Sequence, residues 1–355
     1  MNKQNILALA LKPAMRVTKF HFGGAIIVMM LAVGLVAASA APPSGGPTAT
    51  RLVTGLAEGA KGSTIGPDGA LYVTEGAAGR ISRVDPLTGE KTTFASGLPP
   101  AILSIGGSSI GGAIDVAFID NIAYVLVTLV SDPLFPSSDV DGIYRVDGPD
   151  SFTVVADIGA FNLANPPTIP FSFFIPTGLQ FALQTYRGGF LVADSHLNRV
   201  LRVPLDGEIT VFIAFGNIVP TGLEVRGNRV YMAEAGPDPH LPQDAKVVSL
   251  RQKSPTAAEV ASGVPFLLDV EFGRGGRLYA LSHGMVDPSI DPSNAVPNTG
   301  ALVKVNRDGT LTVITDGLDR PTSLEFIGNT AYVVTLTGEI WKIAGVSCPP
   351  HGVSR

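Results

Sequence analysis

The chain has 355 residues, of which 45% are hydrophobic and only 15% are charged, and it contains 41 glycines and 28 prolines. This composition predicts half-buried strands joined by many tight turns and excludes a disordered chain. Four of the 25 basic residues and none of the 30 acidic ones lie in residues 1–40, so the remaining chain carries a net charge of −9. An acidic surface argues against nucleic acid and anionic lipid as partners, because both bind basic patches.

The first 40 residues have the pattern of an export signal. Basic residues precede an apolar run over 22–37, and Ala38-Ser39-Ala40 matches the small-x-small pattern of a cleavage site. The run is shorter than the roughly 20 residues of a membrane span, and an uncleaved N-terminal anchor is the alternative. We predict a signal peptide over 1–40, a flexible lead-in over 41–47, and a secreted or periplasmic protein that has no membrane association after cleavage.

A strand-like string built around Tyr or Leu recurs six times along the rest of the chain. The copies begin at Leu71, Ala123, Phe190, Val230, Leu278 and Ala331. Self-similarity at intervals of about 40–50 residues is typical of propellers and solenoids. Hairpin signals such as Asp206-Gly207 divide each repeat into strands A to D, because Gly accepts φ > 0 without steric cost. In the third repeat these strands are predicted over 176–181, 189–194, 199–204 and 208–213.

The two ends of the repeat array complement each other. Repeats one to five each have a fourth strand, whereas the sixth stops at Ala344. The N-terminal segment 50–56 resembles the fourth strand of the fifth repeat, 311–318, and can complete the last blade. A closed ring removes most exposed strand edges. We therefore predict an all-β, six-bladed β-propeller over 48–345 and a C-terminal tail over 346–355 that holds Cys348, the only cysteine. An open array or a β-sandwich is the alternative.

Several strings then point to a family. They are Gly66–Glu75 with Gly79–Asp85, Val154–Asp157 followed by an Asn-containing insert to Asn165, Leu191–Asp194, Pro220–Leu223, and Phe266–Phe272 with Gly276–Tyr279. Their order resembles the ScyD/ScyE family of exported six-bladed propellers, whose pattern is related to NHL-type and to SMP-30 and sugar-dehydrogenase-like propellers. The family is named after proteins encoded in a cyanobacterial sunscreen-pigment gene cluster. The resemblance implies no settled activity and no catalytic motif.

Candidate ligand-binding residues follow from aligning the repeats. The A strands place Ser63, Asp115, Gly178, Gly222, Asp269 and Ser323 at one equivalent position. The B strands end at Glu75, Asp194 and Glu234 in three repeats, and three histidines, His196, His240 and His283, follow B strands. We predict a ligand site at the channel mouth formed by Glu75, Asp115, Asp194, Glu234, Asp269 and His283. The alternative is structural: the carboxylates pair with loop N–H groups or with Arg80 and Arg199, and the histidines lie in solvated loops.

Three long B–C loops, 131–141, 236–246 and 284–300, are predicted to project from the same face and form a binding surface. In the last loop, Asp287, Asp291 and Asn294 could bind calcium, although their spacing is not that of an EF-hand.

The sequence has no nucleophile elbow and no phosphate-binding loop. Two functions remain open. One is a non-enzymatic binding or scaffold protein for a small-molecule or protein ligand. The other is a metal-dependent lactonase or quinone-dependent sugar dehydrogenase that uses His283 as a base. In that enzyme a divalent cation would be held by Asp115, Asp269, Glu75 and Glu234.

Overall fold

A computed structural model describes residues 46–57, 59–105, 108–168, 175–251, 254–287, 289 and 291–346. The predicted signal peptide, most of the lead-in and nearly all of the C-terminal tail, including Cys348, lie outside the described residues. Six four-stranded antiparallel sheets form the blades of a β-propeller, as predicted. None of the described helices is long and apolar enough to cross a bilayer.

Each blade begins with its innermost strand, and the following strands lie progressively further from the channel. Blade 1 consists of β2 (Ala60–Ile65), β3 (Leu71–Glu75), β4 (Arg80–Val84) and β5 (Lys91–Ser96). Blade 2 consists of β8 (Gly112–Ile119), β9 (Ile122–Thr128), β10 (Gly142–Gly148) and β11 (Ser151–Asp157). Blade 3 consists of β12 (Gln180–Thr185), β13 (Gly189–Asp194), β14 (Arg199–Pro204) and β15 (Thr210–Ala214).

The second half of the ring repeats this order. Blade 4 consists of β16 (Pro220–Arg226), β17 (Arg229–Glu234), β18 (Lys246–Arg251) and β19 (Ser254–Ser262). Blade 5 consists of β20 (Leu267–Gly273), β21 (Arg277–Ser282), β24 (Gly300–Val305) and β25 (Leu311–Leu318). Blade 6 consists of β26 (Pro321–Ile327), β27 (Thr330–Thr335), β28 (Ile340–Ala344) and β1 (Thr48–Val53). Outside the blades lie the ribbons β6 (Leu103–Ile105) with β7 (Ser108–Ile110) and β22 (Val286–Asp287) with β23 (Asp291–Ala295), the helix α1 (Ile158–Ala164) and a 3₁₀ turn (Gly76–Ala78).

The N-terminal strand closes the ring, as predicted. β1 pairs antiparallel with β28, and Thr50 lies opposite Lys342. The Nε of Arg51 lies 3.2 Å from Oε1 of Glu339, which adds an ion pair across the same junction. Innermost strands of neighbouring blades pack against each other around the whole ring, including β26 against β2. The first described strand and the last therefore share one sheet.

The hydrophobic core consists of six clusters, one between each pair of adjacent blades. The recurrent Tyr of the second strand anchors several of them. Tyr72 contacts Phe118 of the next blade at a ring-centroid distance of 4.8 Å, and Tyr231 contacts Phe272 at 5.0 Å, both edge to face. Edge-to-face pairs add to the stabilisation from buried area. The repeated Tyr strings of the sequence thus form the inter-blade packing of the ring.

All six innermost strands have a register shift near their start. The shifts lie between Ala60 and Ser63, Ala113 and Asp115, Gln180 and Ala182, Pro220 and Leu223, Leu267 and Asp269, and Pro321 and Ser323. A β-bulge bends the strand and redirects a side chain. In each blade the first residue inside the shift follows the first paired residue of the strand; these residues are Lys61, Ile114, Phe181, Thr221, Leu268 and Thr322. We call these six the mouth ring. In blades 1 and 4 the shift also includes Gly62 and Gly222.

Two positions of the predicted alignment are wrong. Asp115, Ala182 and Asp269 face the fourth position of the second strand, so Ala182 and not the predicted Gly178 is the equivalent residue in blade 3. In blade 1 the predicted Ser63 faces the third position, Val73, and Gly62 is hydrogen-bonded to Thr74 at the fourth. The predicted first strand of blade 3 is also displaced. Gly178 has φ of 80° and donates its N–H to the carbonyl of Ile175, so this segment is a turn and the strand starts only at Gln180.

Candidate functional site

A cavity of about 230 Å³ opens at the channel mouth, where the innermost strands begin. The mouth ring supplies one wall residue from every blade. Five members of this ring are apolar residues or threonines, and Lys61 is the only charged one. The rest of the wall comes from the connections that surround the mouth: Ser109, Ile110, Leu179, Ser195, Val219, His240, Phe266, His283 and Leu336. We call this cavity the mouth pocket.

Three aromatic rings stack along one side of the mouth pocket. His240 lies parallel to Phe266 at a centroid distance of 4.0 Å, and Phe266 meets His283 edge to face at 4.9 Å. Nδ1 of His240 lies 2.7 Å from the carbonyl oxygen of Gly236, and Nδ1 of His283 lies 3.0 Å from that of Pro321. A carbonyl only accepts, so each Nδ1 carries the proton. Burial lowers the pKa of His240, which favours its neutral form.

The pocket-lining residues Val219 and Phe266 have left-handed backbone conformations, with φ of 52° and 48°. Each immediately precedes an innermost strand, at the place where blade 1 and blade 2 have Gly59 and Gly111 with positive φ. Glycine adopts this conformation without a steric penalty, whereas a β-branched Val is unfavourable there. Blades 4 and 5 therefore retain bulky side chains where the backbone favours glycine, and both side chains line the mouth pocket.

Lys61 is buried, with 9% of its surface exposed, and it lies on the wall of the mouth pocket. No hydrogen bond or ion pair joins its ammonium group to any residue in the described part of the chain. Burial lowers the pKa of Lys61 to about 8. The side chain still carries its charge at neutral pH, in the pocket wall and with no counter-ion among the described residues.

A second cavity, of about 280 Å³, lies deeper in the channel. Asp115 and Asp269, from opposite blades, line it. Oδ2 of Asp115 accepts a hydrogen bond from the N–H of Leu183 in the next blade at 2.7 Å. Oδ2 of Asp269 does the same with Leu324, also at 2.7 Å. The two aspartates predicted as channel residues therefore lie in the channel, below the mouth pocket, and each connects its own blade to the following one.

More carboxylates lie two residues further along the strands. This level contains Thr64, Ala117, Gln184, Glu224, Glu271 and Glu325, one from each blade, and we call it the lower ring. Burial, reinforced by repulsion from neighbouring carboxylates, raises the pKa values of Glu271 and Glu325 well above the usual range. Burial also raises the pKa of Glu224 to about 7, although Gln184 donates a hydrogen bond to it at 2.6 Å.

The lower channel as a whole favours protonated carboxyl groups. Burial raises the pKa of Asp269 to about 7 and that of Asp115 well above its usual range, against the opposing effect of the hydrogen bonds from backbone N–H groups. Repulsion from Asp269 adds a smaller contribution in the same direction at Asp115. The two ends of the channel thus differ in chemistry, with a cation and imidazoles at the mouth and carboxyl groups below.

Glu75 lies at the end of β3 and has no exposed surface. It accepts hydrogen bonds from Nε of Arg80 at 2.9 Å, from the hydroxyl of Ser82 and from the N–H of Ala57. Burial opposes its ionisation, but these donors outweigh that effect and lower its pKa. Its oxygens are occupied by protein groups, and Glu75 does not line the mouth pocket.

Asp194 belongs to a buried polar network. Arg199 Nε lies 3.1 Å from its Oδ2, and the amides of Asn162 and Gln180 donate to it at 3.0 and 3.1 Å. Burial raises its pKa to about 6 against these opposing interactions, so Asp194 is ionised at neutral pH. The Asn-containing insert noted in the sequence contributes Asn162 to this network. Its position on α1 therefore ties the insert to blade 3.

Glu234, at the end of β17, lies opposite Lys246 in the sheet, but the Nζ of Lys246 contacts Glu259 at 2.8 Å. Burial raises the pKa of Glu234 to about 7. Of the six predicted ligand-binding residues, the structure thus places one, His283, in the mouth pocket and two, Asp115 and Asp269, in the cavity below it. Glu75, Asp194 and Glu234 lie at neither cavity.

The predicted calcium loop is described only in part. Asp287 accepts hydrogen bonds from the N–H and the hydroxyl of Ser289, at 2.9 and 2.6 Å. The side chains of Asp291 and Asn294 lie outside the described residues. Among the side chains that the structure describes, no three His, Cys, Asp or Glu are grouped so that they could hold one metal ion.

Lys61 and Phe266 are not among the binding-site residues predicted from the sequence. For Lys61 a signal existed: it is the only charged residue at a position that is apolar or Thr in the other five repeats. That signal was hidden because each bulge shifts the register by one residue. For Phe266 no comparable signal existed, because its orientation depends on a left-handed backbone at a non-glycine residue.

No family model matches the sequence, and no curated protein matches it. Solved structures do. A gluconolactonase from Xanthomonas campestris has a TM-score of 0.56 at 12% identity, covering 84% of this chain and 89% of the other. A luciferin-regenerating enzyme has a TM-score of 0.55 at 12% identity, with coverages of 85% and 96%.

A catalytically inactive virginiamycin B lyase from Staphylococcus aureus, solved with quinupristin, has a TM-score of 0.50 at 14% identity and covers 84% of this chain and 99% of its own. At such identities the likeness shows the fold alone. The chain is a six-bladed β-propeller whose structural neighbours include gluconolactonases and streptogramin-type lyases.

Proposed function

We propose that this protein binds a small molecule in the mouth pocket and acts as a binding protein. The observation that carries the proposal is the pocket itself: apolar walls, an aromatic stack of two histidines and a phenylalanine, and few polar groups. This is the usual composition of a small-molecule site. The left-handed Val219 and Phe266 support it, because strained backbone is retained mainly where the side chain is needed.

A neutral aromatic probe tests the proposal. 2-Naphthamide is expected to bind the full chain with one site, as measured by isothermal titration calorimetry. Ser109→Trp places an indole at the pocket rim and is expected to weaken binding at least tenfold. Ser151→Trp, on the exposed outer strand of blade 2, is the matched control and is expected to bind like the wild type. Absence of binding, or equal binding by both variants, would contradict the proposal.

An enzymatic function is the second candidate, favoured by the pocket histidines. Nδ1–H of His240 donates a hydrogen bond to the carbonyl oxygen of Gly236. The neutral ring therefore has its lone pair on Nε2, as a general base requires. The gluconolactonase among the structural neighbours suggests the assay. Hydrolysis of D-glucono-δ-lactone, measured with and without added divalent cation and lost in His240→Gln and His283→Gln, would support an enzyme. Absence of turnover by the wild type would favour the binding protein.

We also propose that the protein is exported and belongs among ScyD/ScyE-like propellers. The support is the apolar run before Ala38-Ser39-Ala40 and the order of the motifs quoted above. Export with cleavage predicts a secreted or periplasmic product that begins at Ala41. Intact-protein mass spectrometry of the fraction outside the cytoplasm measures this directly. A full-length product retained in the membrane would instead support the uncleaved anchor.

A further inference from the structure

We propose that the ligand of the mouth pocket is a monoanion with an apolar, planar body, and that the ammonium group of Lys61 pairs with its carboxylate. The inference rests on the proposed function and deepens it by naming the ligand class. Its starting point is the unusual position of Lys61, a buried cation that lines the pocket and meets no partner in the described part of the chain.

A lysine that is nine-tenths buried and has no counter-ion is unfavourable, and proteins normally pair such a group. Lysine could be replaced here by an apolar residue or threonine, as the equivalent positions of the other five blades show. Four of these neighbours in the mouth ring are Ile114, Phe181, Leu268 and Thr322. Lys61 is therefore not required by the packing of the ring. An anionic group of a ligand would supply the missing partner.

The described residues around Lys61 do not supply that partner. Glu75 ends the strand beside β2, but its oxygens accept from Arg80, Ser82 and Ala57. Burial alone accounts for the lowered pKa of Lys61, with no contribution from a nearby carboxylate. The carboxyl groups of the channel lie at the aspartate level and in the lower ring, where they line the deeper cavity.

The charge of the pocket sets the charge of the ligand. Lys61 is the only Lys or Arg on the pocket wall, and no guanidinium fork or phosphate-binding loop is present there. One ammonium matches one carboxylate, whereas a phosphate group usually meets several donors or a bidentate arginine. His240, Phe266 and His283 place three aromatic rings in the pocket wall, against which an aromatic or polyene body can pack.

A matched pair of probes tests this inference at pH 7 with the full chain. 2-Naphthoate and 2-naphthamide share size and shape but differ in charge. We expect 2-naphthoate to bind at least tenfold more tightly by isothermal titration calorimetry. Lys61→Met should abolish this preference. Lys91→Met, which removes an exposed lysine of the same blade, should retain the preference.

The wild type provides a readout that needs no variant. Affinity for 2-naphthoate should fall as the pH rises through about 8, where Lys61 loses its charge, while affinity for 2-naphthamide stays constant. Equal affinity for both probes, or a preference that survives Lys61→Met, would overturn the inference and leave the proposed function standing. Failure of both probes to bind would instead reject the proposed function, and the inference with it.

Discussion

The loop between β9 and β10 contains a carboxylate whose ionisation should contribute to the pH dependence of stability. Asp141 is 2% exposed, and its Oδ1 accepts from the N–H groups of Val130 and Ser131 at 2.7 and 3.3 Å. Its Oδ2 is buried without a hydrogen-bond partner in the described structure. Burial, with a smaller contribution from Asp132, raises the pKa of Asp141 from 3.8 to about 6. The folded state therefore favours the protonated acid.

The sign and size of the effect follow from this difference. The folded pKa is above the unfolded one, so the group's contribution to stability is complete below pH 4 and is lost as pH rises through about 6. Each pH unit between the two values costs about 1.4 kcal/mol, which gives roughly 3 kcal/mol by pH 7. Asp141→Asn keeps the acceptor Oδ1 and removes the titration. It should therefore stabilise the protein by about 3 kcal/mol at pH 7 and above.

The assay is urea unfolding from pH 4 to 8, followed by fluorescence of Trp341, the only tryptophan, on β28. The difference in unfolding free energy between Asp141→Asn and wild type should grow from pH 4 to 6 and then stay constant. Asp139→Asn, on the exposed part of the same loop, should follow the wild-type profile. Parallel curves for wild type and Asp141→Asn across this range would refute the reasoning.

Three further changes test packing and closure, each by urea unfolding at pH 7. Gly62→Ala would place a methyl group 2.2 Å from Oδ1 of Asp115, so we expect the free energy of unfolding to fall by about 1–3 kcal/mol or more. The control is Gly216→Ala, whose methyl group would meet open space and should change the free energy of unfolding little. Equal losses in the two variants would contradict the close contact inferred between Gly62 and Asp115. Arg199→Met leaves Asp194 buried without its cation and should cost about 3–5 kcal/mol, and Asp194→Asn in the same chain should recover part of it. Deleting β1 exposes the edge of β28 and should cost at least about 1.5 kcal/mol for one buried valine side chain; an unchanged midpoint would exclude closure by this strand.

The ring could be predicted from the sequence because the repeat, the turns and the packing depend on short-range patterns. The recurrent Tyr strings form the inter-blade clusters, and Asp206-Gly207 and Asp308-Gly309 lie between the third and fourth strands of their blades. Closure could be predicted for a related reason. The last repeat lacks a fourth strand, and residues 48–53 form an extra strand at the other end of the array. The two complement each other independently of the loop conformations.

The site could be predicted only in part, because it depends on shifts of a single residue. The bulges move Gly62 and Ala182 into the positions predicted for Ser63 and Gly178, and periodicity cannot reveal a bulge. The same bulges direct Lys61 and its equivalents to the mouth. The sequence identifies the carboxylates at the strand ends as polar positions. Whether an arginine such as Arg80 binds their oxygens, and so removes them from a ligand site, depends on how the neighbouring strand lies.

The opposite chemistry of the two channel levels constrains how the proposed ligand lies. A carboxylate that passed below the mouth ring would approach Asp115 and Asp269, whose raised pKa values already show how unfavourable negative charge is there. We therefore expect the anionic group of the proposed ligand at Lys61, above the two aspartates. The apolar body of the proposed ligand then lies in the mouth pocket beside His240, Phe266 and His283.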